Sequence, residues 1–85
     1  MEKEIGKVTH YFGKINVGIF ELKDELNVGD TVHVKGHTTD FKQKIESIQV
    51  EHKTVDTAKK GDSVGVKVSE HVREGDIIFK VTDED

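Results

Sequence analysis

One phrase, used three times, constrains this chain more than any other feature. An apolar or charged residue precedes Gly-Asp, and a short run rich in β-branched residues comes after it. The copies are Val28-Gly29-Asp30-Thr31-Val32-His33-Val34, Lys60-Gly61-Asp62-Ser63-Val64-Gly65-Val66 and Glu74-Gly75-Asp76-Ile77-Ile78-Phe79. Glycine tolerates positive φ, and an aspartate side chain hydrogen-bonds to nearby turn backbone, so Gly-Asp bends a chain sharply into the next element. In the first two copies that element carries valine alternating at period two, the mark of a strand with one buried face. The spacings are unequal, 32 residues from Gly29 to Gly61 and 14 from Gly61 to Gly75. The phrase is therefore one turn solution used three times to start strands, not a duplicated structural unit.

The remaining apolar residues are also patterned for strands. Residues 4–12 place Gly6, Val8, His10 and Phe12 on one face and Ile5, Lys7, Thr9 and Tyr11 on the other. Gly13-Lys14 can turn the chain into a second strand in which Ile15, Val17 and Ile19 point inward. Phe20 and Leu22 fall on the opposite parity, which predicts a β-bulge or bend near Gly18. The third strand carries Val32 and Val34 inward, with His33 and Lys35 outward. A fourth runs from Phe41 to His52 and changes parity between Ile45 and Ile48, predicting a bend near Glu46-Ser47. Residues 54–60 resemble a helical turn, too short to be stable alone. The fifth strand points Val64, Val66 and Val68 inward, with Gly65 where a side chain would obstruct a neighbour, and Ile77 to Val81 form the sixth. Six short strands and almost no helix predict an all-β fold, a small closed six-stranded barrel without exposed edges.

Composition sets the outer bounds. Eighty-five residues suffice for one domain, here residues 1–81, with Thr82-Asp83-Glu84-Asp85 as a solvated acidic tail. The net charge is −4, and that tail supplies most of it. There is no long apolar run to cross a membrane and no cysteine, which points to a reducing, cytoplasmic setting without disulfides or thiolate metal sites. Between His33 and Lys44 the lysines Lys35, Lys42 and Lys44 outweigh Asp40, a mild basic bias and not a dense basic stripe.

The order of these phrases resembles a known barrel. Leu26-Asn27-Val28-Gly29-Asp30-Thr31-Val32-His33-Val34-Lys35-Gly36 is similar to a run in the second domain of elongation factor Tu. So are Ile45 to Val50 followed by Ala58 to Val66, and the closing Glu74-Gly75-Asp76-Ile77-Ile78. Gly6-Lys7-Val8-Thr9-His10-Tyr11 and Gly36-His37-Thr38-Thr39-Asp40-Phe41 also resemble the barrel appended to U32-type peptidases, and small free-standing elongation-factor-like proteins. The resemblance implies the Greek-key translation-protein barrel. It does not carry over GTPase activity, because no Gly-x-x-x-x-Gly-Lys-Ser/Thr loop is present.

No residue pattern here points to catalysis or to a cofactor. His10, His33, His37, His52 and His71 lack a metal-binding spacing; His33 and His37 straddle a strand end. No serine adjoins a plausible base. The candidate binding face is Lys35, His37, Thr38, Thr39, Phe41, Lys42 and Lys44. Cations and hydroxyls attract phosphate there, and Phe41 offers a ring for base stacking if exposed, or a core side chain if not. His37-Thr38-Thr39-Asp40 is equally readable as a structural turn. The chain is thus expected to be a non-catalytic, stand-alone module binding RNA or the ribosome. The alternative is a protein-interaction module acting in trans, like the appended barrel of a U32-type peptidase.

Overall fold

A computed structural model describes residues 2–82. Residues 83–85 of the expected acidic tail lie outside the described residues, as does Met1. Among the described residues ten strands occur in order: β1 (Glu2–Phe12), β2 (Val17–Leu22), β3 (Leu26–Asn27), β4 (Thr31–Lys35), β5 (Asp40–Lys44), β6 (Ile48–Val50), β7 (Lys53–Val55), β8 (Thr57–Ala58), β9 (Ser63–Lys67) and β10 (Ile77–Val81). Eight form one sheet in the order β5-β4-β10-β1-β2-β9-β6-β7, and β3 pairs with β8 in a small ribbon. Every pairing is antiparallel. Phe20, Leu26, Val32, Ile45, Val64 and Ile78 are fully enclosed at its centre.

The all-β expectation holds, with eight strands in the main sheet against the six of the expected closed Greek-key barrel. Among the described residues no ladder joins the sheet's outer strands, β5 and β7. The sheet nevertheless curls, because β5 leads into β6 through only residues 45–47. The seam is bridged by a side chain. Gln43 Nε2 donates to the Lys67 carbonyl at 2.9 Å, and its Oε1 accepts from the Ser69 N–H at 2.7 Å. One amide thereby satisfies the last carbonyl of β9 and an N–H just beyond it.

The three Gly-Asp phrases form the same turn. Gly29, Gly61 and Gly75 have φ of 99°, 93° and 93°, with open space around each. In each, the Asp N–H donates to the carbonyl three residues earlier, at Asn27, Lys59 or Arg73. The Asp carboxylate accepts from that same residue's N–H, at 2.9 Å in all three cases. Each turn also clips onto one buried core residue. The Gly N–H donates to the carbonyl of Ile45, Leu22 or Val8, and that residue's N–H donates back to the Asp carbonyl. The phrase is thus a turn and a strand anchor together.

Where parity changes, the irregularity sits elsewhere than expected. β2 is unbroken against β9, whereas β1 slips register at Ile5 against β10 and at Thr9 against β2. The two bulges let Ile5 and Val8 both reach the core and turn Phe12 out to 51% exposure. In β2 the core takes Gly18, Phe20 and Leu22, so Val17 and Ile19 face outward and Ile15 is 62% exposed. The bend near Glu46-Ser47 is present as the break between β5 and β6, with Ile45 and Ile48 both buried. Val64, Val66 and Val68 point inward as expected.

Residues 54–60 form no helical turn. Residues 54–55 end β7 and Thr57-Ala58 form β8, and a two-residue hairpin joins β6 to β7 with Val50 opposite Lys53. Its central residues, Glu51 and His52, have φ of 52° and 67°. Positive φ at both is the I′ geometry that matches strand twist, normally built with Asn-Gly. Glu-His carries no such signal, which hides the turn from sequence.

Candidate functional site

The expected basic face is built on the β4–β5 hairpin, where Lys35 pairs with Asp40 and His33 with Lys42. Alternation along β5 places Lys42 and Lys44 outward, while Phe41 is 7% exposed and lies in the core. Thr39 is buried too, and its carbonyl accepts from the Gly36 N–H at 2.7 Å. His37 and Thr38 are exposed in the loop. Phe41 therefore gives no ring to a base, and the predicted face reduces to Lys35, His37, Thr38, Lys42 and Lys44. Lys44 also lines a cleft with Glu46, Ser47 and Lys67.

A cluster that no sequence pattern announces lies between these lysines. His33 points outward from β4 as expected, yet its side chain is only 11% exposed because two carboxylates cover it. Its Nδ1 lies 2.8 Å from Glu2 on β1, and its Nε2 bonds Asp40 on β5. Ionised carboxylates only accept, so both ring nitrogens must donate, which requires the imidazolium. Hydrogen bonds to Asp40 and then Glu2 hold the His33 pKa above its ordinary value, against the opposing effect of desolvation. The same bonds hold Glu2 and Asp40 below theirs, with Lys42 and Lys35 adding to the effect. The cluster ties the first strand to the edge strand. Partners 31 and 7 residues away in sequence make it invisible to spacing arguments.

The second surface is an apolar groove of about 310 Å³ on the outer side of β2 and β9. Phe12, Ile15, Val17 and Ile19 line it with Gly65, and the Glu51-His52 turn forms part of its wall. Phe12 and Ile15 are two of only three large hydrophobic residues exposed among the described residues. The sequence signal for the groove was present as the alternation of Ile15, Val17 and Ile19, assigned to the wrong face. Gly65 departs from expectation as well: an added Cβ would make ordinary 3.6 Å and 3.7 Å contacts with Val17 and Ile19. No neighbour is obstructed, and the missing side chain deepens the groove.

The fold is an all-β, antiparallel domain, and its likeness to other proteins is partial. No protein-family model matches the chain. It is 43% identical over 77 residues to an uncharacterized protease of Methanocaldococcus jannaschii, a match covering 89% of this chain and 19% of that protein. It is 37% identical over 78 residues to a collagenase of Porphyromonas gingivalis, covering 89% of this chain and 22% of the collagenase. The chain thus spans about a fifth of the length of these relatives. Two crystal structures of the C-terminal domain of a Geobacillus thermoleovorans protein assigned to the U32 peptidases share its fold. They have TM-scores of 0.85 and 0.88 at 23% identity, covering 89% and 94% of this chain and 96% and 93% of theirs. The chain is thus similar in sequence to part of these two proteases and shares the fold of the C-terminal domain of the Geobacillus thermoleovorans protein.

Proposed function

We propose that this domain is a non-catalytic protein-interaction module that acts in trans with a U32-type protease chain. The observation that carries the reading is the asymmetry of the matches: they span 89% of this chain but only about a fifth of each protease. Four-fifths of such a protease lies outside the region of likeness, and a domain of this kind contributes binding to chemistry performed elsewhere. The likeness to the second domain of elongation factor Tu stays with the sequence motifs and brings no partner into the proposal. The buried Phe41 also weakens the RNA reading, because the stacking platform is missing.

The test is co-elution on size exclusion with a U32-type protease chain of the same organism that lacks its own C-terminal domain. RNA binding is followed in parallel by fluorescence anisotropy with a single-stranded oligonucleotide. A stable complex with the protease chain and no salt-sensitive RNA affinity is the expected result. RNA binding without complex formation overturns the proposal.

A further inference from the structure

We infer that the protease chain docks in the apolar groove on the outer face of β2, through an apolar segment flanked by a basic residue. The inference rests on the interaction-module reading and locates its site. Four features of the groove are left unexplained by folding alone. Ile15 is 62% exposed within the tight 13–16 turn, where polar residues ordinarily sit. Phe12 is turned out beside it at 51% by the Thr9 bulge. A strand alternating Val17 and Ile19 outward gives the sheet a second apolar face, when the opposite face already holds the core.

Gly65 is the fourth. Its φ is not positive, no backbone crowds it, and a glycine inside a strand costs about 0.5–1 kcal/mol relative to alanine. A strand glycine with room for a Cβ marks a place where another chain approaches closely. Here it leaves the floor of the groove open beside Val17 and Ile19.

Glu51 is the sole carboxylate or lysine lining the groove, and it forms no ion pair among the described residues. It is held at the wall by a turn with φ of 52° and 67°, a conformation that favours Asn-Gly over the Glu-His present. An acidic rim over an apolar floor complements a segment that presents apolar side chains next to a lysine or arginine. The relatives carry this domain together with about four times its length of protease polypeptide, which is where such a segment would come from.

Isothermal titration calorimetry against the protease chain lacking its C-terminal domain tests the docking site. The variants are Ile15→Asp, which charges the rim, and Gly65→Val, which fills the floor. Glu51→Lys reverses the wall charge, and Glu25→Lys, exposed just before β3, lies outside the groove. Far-UV circular dichroism confirms that each is folded. The expected result is a loss of about tenfold or more for Ile15→Asp and Gly65→Val, a smaller loss for Glu51→Lys, and wild-type affinity for Glu25→Lys. If the wild type binds and the folded groove variants bind equally well, the docking site is overturned while the interaction-module reading stands. If the wild type does not bind, both fall.

Discussion

Gly36 and Asp76 form the most sharply testable contact in the molecule. Asp76 is 4% exposed, and its Oδ2 accepts from the Arg73 N–H at 2.9 Å in the third Gly-Asp turn. Its other oxygen packs directly on Gly36, so that a Cβ at that position would overlap the carboxylate. Gly36 has no positive φ, so alanine suits its backbone and only the collision penalises it. Removing the carboxylate with Asp76→Ala loses a hydrogen bond to a charged acceptor, about 1.5–3 kcal/mol. Gly36→Ala must push the same carboxylate aside, an overpacking cost of about 1–3 kcal/mol. In the double variant the methyl at 36 enters space that the carboxylate has left, and the shared bond is lost only once. The double should therefore cost about 1–2 kcal/mol less than the sum of the singles. Urea unfolding followed by far-UV circular dichroism measures this. With m near about 1 kcal/mol/M for a chain this small, the non-additivity is a midpoint difference of about 1–2 M. Additivity within about 0.5 kcal/mol would show that Gly36 is required for another reason.

Three further outcomes are expected. His33 has a folded pKa above its ordinary 6.5, so its stabilising contribution is complete below that pH and is lost as pH rises through the raised value. Glu2 and Asp40 are lowered from 4.5 and 3.8, so their contribution is present above those values and is lost as pH falls through the lowered ones. Thermal melts should thus give highest stability between these limits, and His33→Gln should flatten the alkaline decline; an unchanged alkaline limb would refute the imidazolium assignment. Gly61→Ala, at φ 93° with nothing within 4 Å, should destabilise by about 1–2 kcal/mol through backbone strain alone, and Gly61→Asn by less. Chemical denaturation that ranks Asn below Ala would contradict this. His52→Gly, at φ 67°, should raise the melting temperature by a few degrees, about what 0.5–1 kcal/mol produces in a domain of this size. A lower melting temperature would mean that the His52 side chain contributes packing that outweighs its strain.

Much of the scaffold was legible in local patterns. Gly-Asp specifies its own turn, because the glycine supplies positive φ and the aspartate bonds three residues back; neither needs a distant partner. Alternating valines after it state which face is buried, as Val64, Val66 and Val68 demonstrate. The break between Ile45 and Ile48 was visible as a change of parity within one apolar run. The hairpin at Glu51-His52 was not visible, since its residues lack the chemistry that usually marks such a turn.

The sites were less legible, and for a definite reason. Ile15, Val17 and Ile19 alternate just as Phe20 and Leu22 do, and period two reports that a strand has an apolar face without saying which of two faces is the core. That choice was made by the neighbours: bulges at Ile5 and Thr9 realign β1, and Phe20 closes over the centre, leaving the other face outward as a groove. Likewise, His33 looked like an ordinary outward histidine until Glu2 and Asp40 were brought over it from two other strands. By itself the sequence determined the three Gly-Asp turns, most of the strands and the all-β class, each set by interactions within a few residues. Only the tertiary structure decided which apolar stripe is core and which is surface, what clamps His33, and that Gln43 links β5 to the end of β9. Those depend on side chains far apart in the chain, whose meeting no local pattern records.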